Sequence, residues 1–268
     1  MDKDNKIRLD DLLLELGFFD SKQKAQTCIM TNGVSIAGQL QNKAGKAINI
    51  RRFYDAYDKD NDYIQVNDKM LRYVSRGAYK LKEAHEKFNL DFQDKVILDI
   101  GASTGGFCDY ALEQGAKKLF ALDVGKGQLH YKLQQEPRLI NLEERNFRTW
   151  DINEIENEIT EPLAFVVTDV SFISLVTILE RLKELIDNYS KFFADDFKIV
   201  ALLKPQFEAG KEIMDKCQGV IKDEAICQKV CQETKTKIQN LGYQIQAETI
   251  SPITGAKGNK EYLLLLNI

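Results

Sequence analysis

The chain has 268 residues, 44% hydrophobic and 29% charged, with a formal net charge of −4. That is ordinary for a soluble globular protein and long enough for one large domain and one small one. No apolar run approaches the ~18 residues of a membrane span, and the opening MDKDNKIRLDD lacks the basic-then-apolar pattern of a secretion signal. Five cysteines, an odd number, are spread along the chain, which points to reduced thiols and a cytoplasmic setting. The only histidines, His85 and His130, are far apart in sequence, so no metal site is expected. Charge is uneven: residues 1–90 hold 16 Lys and Arg against 13 Asp and Glu, and the remainder 21 against 28. A mildly basic front on an acidic body suits a local RNA contact surface.

The front reads as a small α+β piece. Leu9, Leu12, Leu13 and Leu16 fall at helical spacing over Arg8 to Leu16, and Gly17 stops that helix. Ser21 is placed to cap a second helix, KQKAQTCIMTNG, which ends at Asn32-Gly33. VSIAGQL alternates like one strand, the polar stretch 49–62 reads as a loop or insertion, and YIQV at 63–66 is expected to return as a partner strand. From residue 95 the pattern becomes strand-helix alternation. KVILDI, KLFALDV, PRLINLE, LAFVVTDV and KIVALL are the expected strands, with helices near 105–115, 126–135, 173–189 and 223–241. Near-continuous apolar strands between helices mean a doubly wound, mostly parallel α/β sheet. The tail differs: YQIQAETIS and EYLLLLNI flank the turn PITGAKGN and read as an antiparallel hairpin closing the sheet.

Chemistry-bearing residues concentrate where such a sheet binds ligands, beyond the carboxyl ends of its strands. LDIGASTGGF follows the first strand and opens a helix, and Gly101, Gly105 and Gly106 let the backbone turn and approach a ligand. A dinucleotide fingerprint wants glycine where Ser103 stands, which argues against NAD and for a cofactor without phosphates, such as S-adenosylmethionine. Thr104 and Phe107 complete the turn. Asp123 lies 22 residues after Gly101, the distance at which an acid meets ribose hydroxyls. Asn146 follows the third strand, where an adenine-facing polar group belongs. Lys80 sits on a helix before the first strand, Asp169 ends the fourth, Lys204 ends the fifth and Glu261 begins the last. Two lysines and two acids gathered at that edge suit proton abstraction from a weakly acidic hydroxyl, with a lysine pKa lowered toward ~7–8 by its neighbours.

The stretches RLDDLLLELG, NGVSI, YVSRGAYKL, LDIGASTGGF, DVGKGQL, TDVSFISL, LLKPQFEAG and SPITG with NKEYLLL resemble the TlyA family, hemolysin-named ribosomal RNA methyltransferases, over nearly the whole chain. Its second domain is similar to FtsJ-type 2′-O-ribose methyltransferases. The resemblance implies a Lys-Asp-Lys-Glu catalytic tetrad at Lys80, Asp169, Lys204 and Glu261. It implies an S-adenosylmethionine site at Gly101, Ser103, Thr104, Gly105, Gly106, Phe107, Asp123, Asn146 and Asp169. It also implies a front domain at 5–67 like the RNA-binding module of ribosomal protein S-four, with Arg8, Lys22 and Lys24 facing RNA. A linker at 68–74 and a methyltransferase domain at 75–268 would follow. The implied reaction is 2′-O-methylation of ribosomal RNA, at cytidine, with ribosomal RNA or ribosomal subunits as partners and neither a membrane nor an obligate protein partner. Ala78 departs from the family's Ser-Arg-Gly-Gly before the first lysine, and 49–62 looks longer than usual. The alternatives are a membrane-active hemolysin, for which the chain offers no long apolar segment, and a non-catalytic RNA-binding protein, which would have no use for a full tetrad.

Overall fold

A computed structural model describes residues 6–16, 19, 21–31, 33–57, 63–66, 73–217, 219–255 and 259–268. The chain divides into two units, Met1–Arg72 and Tyr73–Ile268. The expected linker 68–74 lies mostly outside the described residues. Its last two, Tyr73 and Val74, bond within the larger unit, to Glu113 and Asp109.

The small unit runs β1 (Lys6–Arg8), α1 (Leu9–Glu15), α2 (Lys22–Met30), β2 (Val34–Ile36), β3 (Gln39–Gln41), β4 (Ala47–Asn49), α3 (Ile50–Tyr57) and β5 (Ile64–Val66). Leu9, Leu12 and Leu13 of α1 are fully buried beside Ala25 and Ile29 of α2. Ser21 caps α2, its hydroxyl accepting from the Lys24 amide at 3.3 Å. β5 pairs with β2. Two expectations need correcting here. VSIAGQL is not one strand: Ala37 and Gly38 both adopt positive φ, 51° and 73°, and turn the chain back so that β2 and β3 form a hairpin. The stretch 49–62 is not all loop, because Ile50, Phe53 and Tyr54 repeat at helical spacing and build α3, with Phe53 in the core.

The large unit runs α4 (Gly77–Lys87), β6 (Val96–Ile100), α5 (Gly106–Glu113), β7 (Lys118–Leu122), α6 (Tyr131–Gln134), β8 (Leu139–Leu142), β9 (Leu163–Thr168), α7 (Leu175–Asn188), β10 (Phe193–Leu203), α8 (Pro205–Glu208), α9 (Lys211–Lys216), α10 (Glu224–Asn240), β11 (Gln244–Ile250) and β12 (Tyr262–Asn267). One seven-stranded sheet has the order β11-β12-β10-β9-β6-β7-β8. The five strands from β10 to β8 are parallel, and β12 and β11 are antiparallel. The order reverses at β6, which places a crevice at its carboxyl end. Apolar side chains line both faces of the strands, as a doubly covered sheet requires. One core holds α7 and α10 against Leu98, Val166, Ile199 and Leu264; the other holds α4 and α5 against Ile97, Val167, Val200 and Leu263. Of the helix expected near 126–135, only α6 forms. The short helices α8 and α9 have too few turns to show a hydrophobic period, so the sequence pattern does not reveal them.

Asp10 makes the small unit's stability depend on acid. Its side chain is fully buried, which pushes its pKa up, yet hydrogen bonds from Arg8 at 2.9 and 2.7 Å and from Gln26 at 2.7 Å more than offset this and hold it near about 2. A depressed folded pKa contributes stability above the ordinary value of 3.8, and that stability is lost as pH falls toward 2. Asp10→Asn should therefore lower the melting temperature at neutral pH. The gap to the unaltered protein should narrow steadily between about pH 4 and pH 2. Thermal melting monitored over that range checks it; a gap independent of pH would contradict the assignment.

Candidate active site

Strand register brings the polar strand ends together. Ile100 of β6 stands opposite Thr168 of β9, so Gly101 follows beside Asp169. Ile100 also stands opposite Leu122 of β7, which sets Asp123 on the other flank of Gly101. Ala201 of β10 stands opposite Thr168, so continuing that register puts Lys204 level with Ser171. Antiparallel pairing of Leu203 with Tyr262 puts Lys204 level with Glu261. Lys80 arrives from α4, whose Ala78, Leu81 and Ala84 are buried on the sheet.

The four residues form one ion network. Lys80 Nζ lies 2.9 Å from Asp169 Oδ2 and 2.9 Å from Glu261 Oε2. Lys204 Nζ lies 2.6 Å from Asp169 Oδ1 and donates to Ser171 Oγ at 2.9 Å. Lys80, Lys204 and Glu261 are 9%, 7% and 2% exposed, so these charges persist through pairing rather than solvation. Burial pushes the Lys80 pKa down, but the carboxylates of Asp169 and Glu261 outweigh it and hold Lys80 above the ordinary lysine value. The expected lowering of a lysine therefore does not occur at Lys80: each cation in the pair has its own carboxylate oxygen, so the like-charge effect is neutralised. Burial likewise raises Asp169, and the two lysines bring it below the ordinary carboxylate value.

The turn 101–107 lies beside this network. A Cβ on Gly101, whose φ is +85°, would meet Val170 Cγ1 at 3.0 Å and the Asp169 carbonyl at 3.3 Å. Gly105, at φ +90°, packs under Leu129 and Leu133, so a side chain there would collide with both. Asp123 braces the turn, accepting from the Ser103 amide at 2.7 Å and the Gly125 amide at 2.7 Å. Asp123 is half-buried, Ser103 is exposed at φ +50°, and Thr104 is half-buried. Phe107 faces the core and Gly106 packs on Ser75 and Ala78, so these two build the turn's foundation. Asn146 is exposed and accepts from the Arg148 amide at 3.1 Å. Beneath the turn, fully buried Asp99 has its pKa pushed up to about 7 by desolvation, despite a hydrogen bond from Cys108.

Sequence reasoning missed three supports and one surface feature. Ser171 accepts from Lys204, and Gln206 donates to Glu261 Oε1 at 3.2 Å. Glu208 accepts from the Ser174 hydroxyl and the Leu175 amide, each at 2.6 Å, which ties the exit of β10 to the start of α7. Burial raises the Glu208 pKa. Phe172 is 93% exposed at φ +65°, an uncommon conformation for a bulky residue, with its ring 5.4 Å from that of Phe207. The spacing DxS and KxQ is visible in the sequence, but its meaning depends on the strand register. In the small unit, Arg8 is bound to Asp10 at 2.7 Å and Lys22 to Asp11 at 2.7 Å, and Lys24 is half-buried.

The FtsJ-like methyltransferase family matches residues 73–268. Hemolysin A of Brachyspira hyodysenteriae is 40% identical over 260 residues, 96% of this chain and 98% of that protein. The 16S/23S rRNA (cytidine-2′-O)-methyltransferase TlyA of Mycobacterium tuberculosis is 34% identical over 261 residues, 97% of this chain and 90% of that one. The chain belongs to the TlyA family of FtsJ-like methyltransferases. A hemolysin-named structure from Streptococcus thermophilus has 36% identity and a TM-score of 0.69, covering 98% of this chain and 88% of that one. Among the described residues of this TlyA-family chain, no helix is long and apolar enough to cross a membrane.

The methyl donor of FtsJ-like methyltransferases is S-adenosylmethionine, and the turn suits it. GASTGGF contains no Lys or Arg to meet a phosphate, and Asp123 places a half-buried carboxylate beside it. Asp123→Ala should weaken S-adenosylmethionine binding by roughly 1.5–3 kcal/mol, about 10- to 100-fold, through lost hydrogen bonds to a charged acceptor. Calorimetric titration checks it, with NAD as the comparison ligand. Binding of NAD in preference to S-adenosylmethionine would be incompatible with this site.

Proposed function

We propose that this enzyme transfers a methyl group to a ribose 2′-hydroxyl of ribosomal RNA, at a cytidine, acting on the RNA itself or on ribosomal subunits. The observation that carries this reading is the Lys80–Asp169–Lys204–Glu261 network directly beside the turn at Gly101. The substrate class is supported by the name of the Mycobacterium tuberculosis relative. When bound, S-adenosylmethionine supplies the methyl group on a sulfonium. Lys204 is the residue that takes the 2′-hydroxyl proton. Lys80 stays protonated between two carboxylates and holds Asp169 and Glu261 in place. Most of the acceleration then comes from positioning and deprotonation. The exposed Phe172 ring offers a face on which an unstacked base can lie.

Lys204→Ala should lower single-turnover methylation of ribosomal RNA by ~10²–10⁴-fold, the usual contribution of a proton acceptor, with cofactor affinity nearly unchanged and a lowered melting temperature, because Asp169 then keeps Lys80 alone. Lys204→Arg should fail as well, because a guanidinium keeps its proton. Full activity in the arginine variant, with the alanine variant inactive, would make Lys204 only a charge partner and move the search for the base to Lys80.

The small unit supplies the RNA-docking surface in this reading. Arg8 is a poor probe, because removing it strands buried Asp10. The double change Lys22→Ala with Lys24→Ala is the better one. It should weaken ribosomal RNA binding and reduce its dependence on salt, since fewer counterions are released, while S-adenosylmethionine affinity is retained. An unaltered salt slope would place the RNA contact elsewhere.

A further inference from the structure

Ser171 and Gln206 stand two residues beyond Asp169 and Lys204, and each bonds to a tetrad member on a neighbouring strand. The Ser171 contact follows from the parallel register of β9 and β10, which runs 33 residues out of phase and so sets Ser171 beside Lys204. The loop that carries Ser171 is held at both ends. Asp169 is gripped by two lysines, and Ser174 is tied to Glu208.

The two lysines have different surroundings. Both partners of Lys80 are carboxylates, and each favours the ammonium over the amine. Lys204 has one carboxylate, Asp169, one neutral hydroxyl, Ser171, and the ring of Phe207 with its centroid 5.7 Å from the nitrogen. A hydroxyl accepts a hydrogen bond from an ammonium and from an amine alike. The contact therefore survives loss of the proton. Beyond Cε, the Lys204 nitrogen has three tetrahedral positions. With Asp169 as its only partner, the side chain could pivot about the Nζ···Oδ1 axis. The Asp169 contact at 2.6 Å is an ion pair without hydrogen-bond alignment, so the hydrogen bond to Ser171 is the directional contact that orients the nitrogen, and with it the lone pair that must receive a proton.

We propose that Ser171 is a positioning residue for Lys204, aiming the lone pair of its amine at the substrate hydroxyl. This rests on the reading of Lys204 as the base. It also gives a reason for serine: a carboxylate at 171 would favour the ammonium, and alanine would leave the nitrogen free to swing. Phe172 turns the chain immediately afterward at positive φ, so the hydroxyl and the exposed ring leave the same short loop in different roles.

The test is single-turnover methylation of ribosomal RNA with labelled S-adenosylmethionine, together with titrations of cofactor and RNA and melting curves. Ser171→Ala should slow methyl transfer by about 10- to 100-fold, the scale of a misplaced reacting group, with both affinities and the melting temperature unchanged. Ser171→Thr keeps a hydroxyl and should recover most of the rate. In a Lys204→Ala background, Ser171→Ala should cost nothing further, because its effect runs through the missing amine. Three results would overturn the inference: full rate in Ser171→Ala, a loss confined to RNA affinity, or losses that multiply in the double variant. Full rate in Lys204→Ala would instead remove the base reading beneath it. An inactive Lys204→Ala beside a fully active Ser171→Ala would remove only the role of Ser171.

Discussion

Two buried ammonium groups do not share a cleft unless carboxylates divide them. Asp169 does this here, with one oxygen toward Lys80 and the other toward Lys204. Taking a charge out of water costs several kcal/mol, and only close pairing returns it; removing one partner of such a pair typically costs about 3–5 kcal/mol. The rest of the site follows from keeping Asp169 in place. β9 carries it between β6 and β10, so the turn at 101–107 lies on one side and Lys204 on the other. Glu261 supplies the second carboxylate that Lys80 needs. The arrangement separates two otherwise identical side chains by their partners alone.

Much of this was legible in the sequence, because the informative residues end or begin apolar strands. KIVALL followed by Lys204, and LAFVVT followed by Asp169, mark positions where burial stops and chemistry can start. The alternation of strands and helices then fixes which ends share an edge. Glu261 was harder to place. It is informative only because β12 runs antiparallel, which turns the start of a strand toward the ends of its neighbours.

What stayed hidden depends on distances between strands. Ser171 and Gln206 are ordinary loop residues until the register of β9, β10 and β12 is known. The exposure of Phe172 has no periodic signature, since a single apolar residue in DVSFIS reads as core. The hairpin at Ala37-Gly38 was missed for a different reason: apolar alternation continues across the turn and conceals the two positive φ values. Acidic neighbours obscured α3, because DAYDKDND dominates the composition around a short apolar stripe.

The position of β12 has a consequence for how the enzyme comes into being. It follows β11 in the chain but lies between β11 and β10 in the sheet. The strand therefore pairs with β10 as well as with β11, and its pairing with β10 joins residues far apart in sequence, contacts of the kind that folding reaches slowly. Glu261 immediately precedes that strand, and Lys80 is 181 residues away from it. The ion network of Lys80, Asp169 and Glu261 is therefore complete only when β12 is in the sheet.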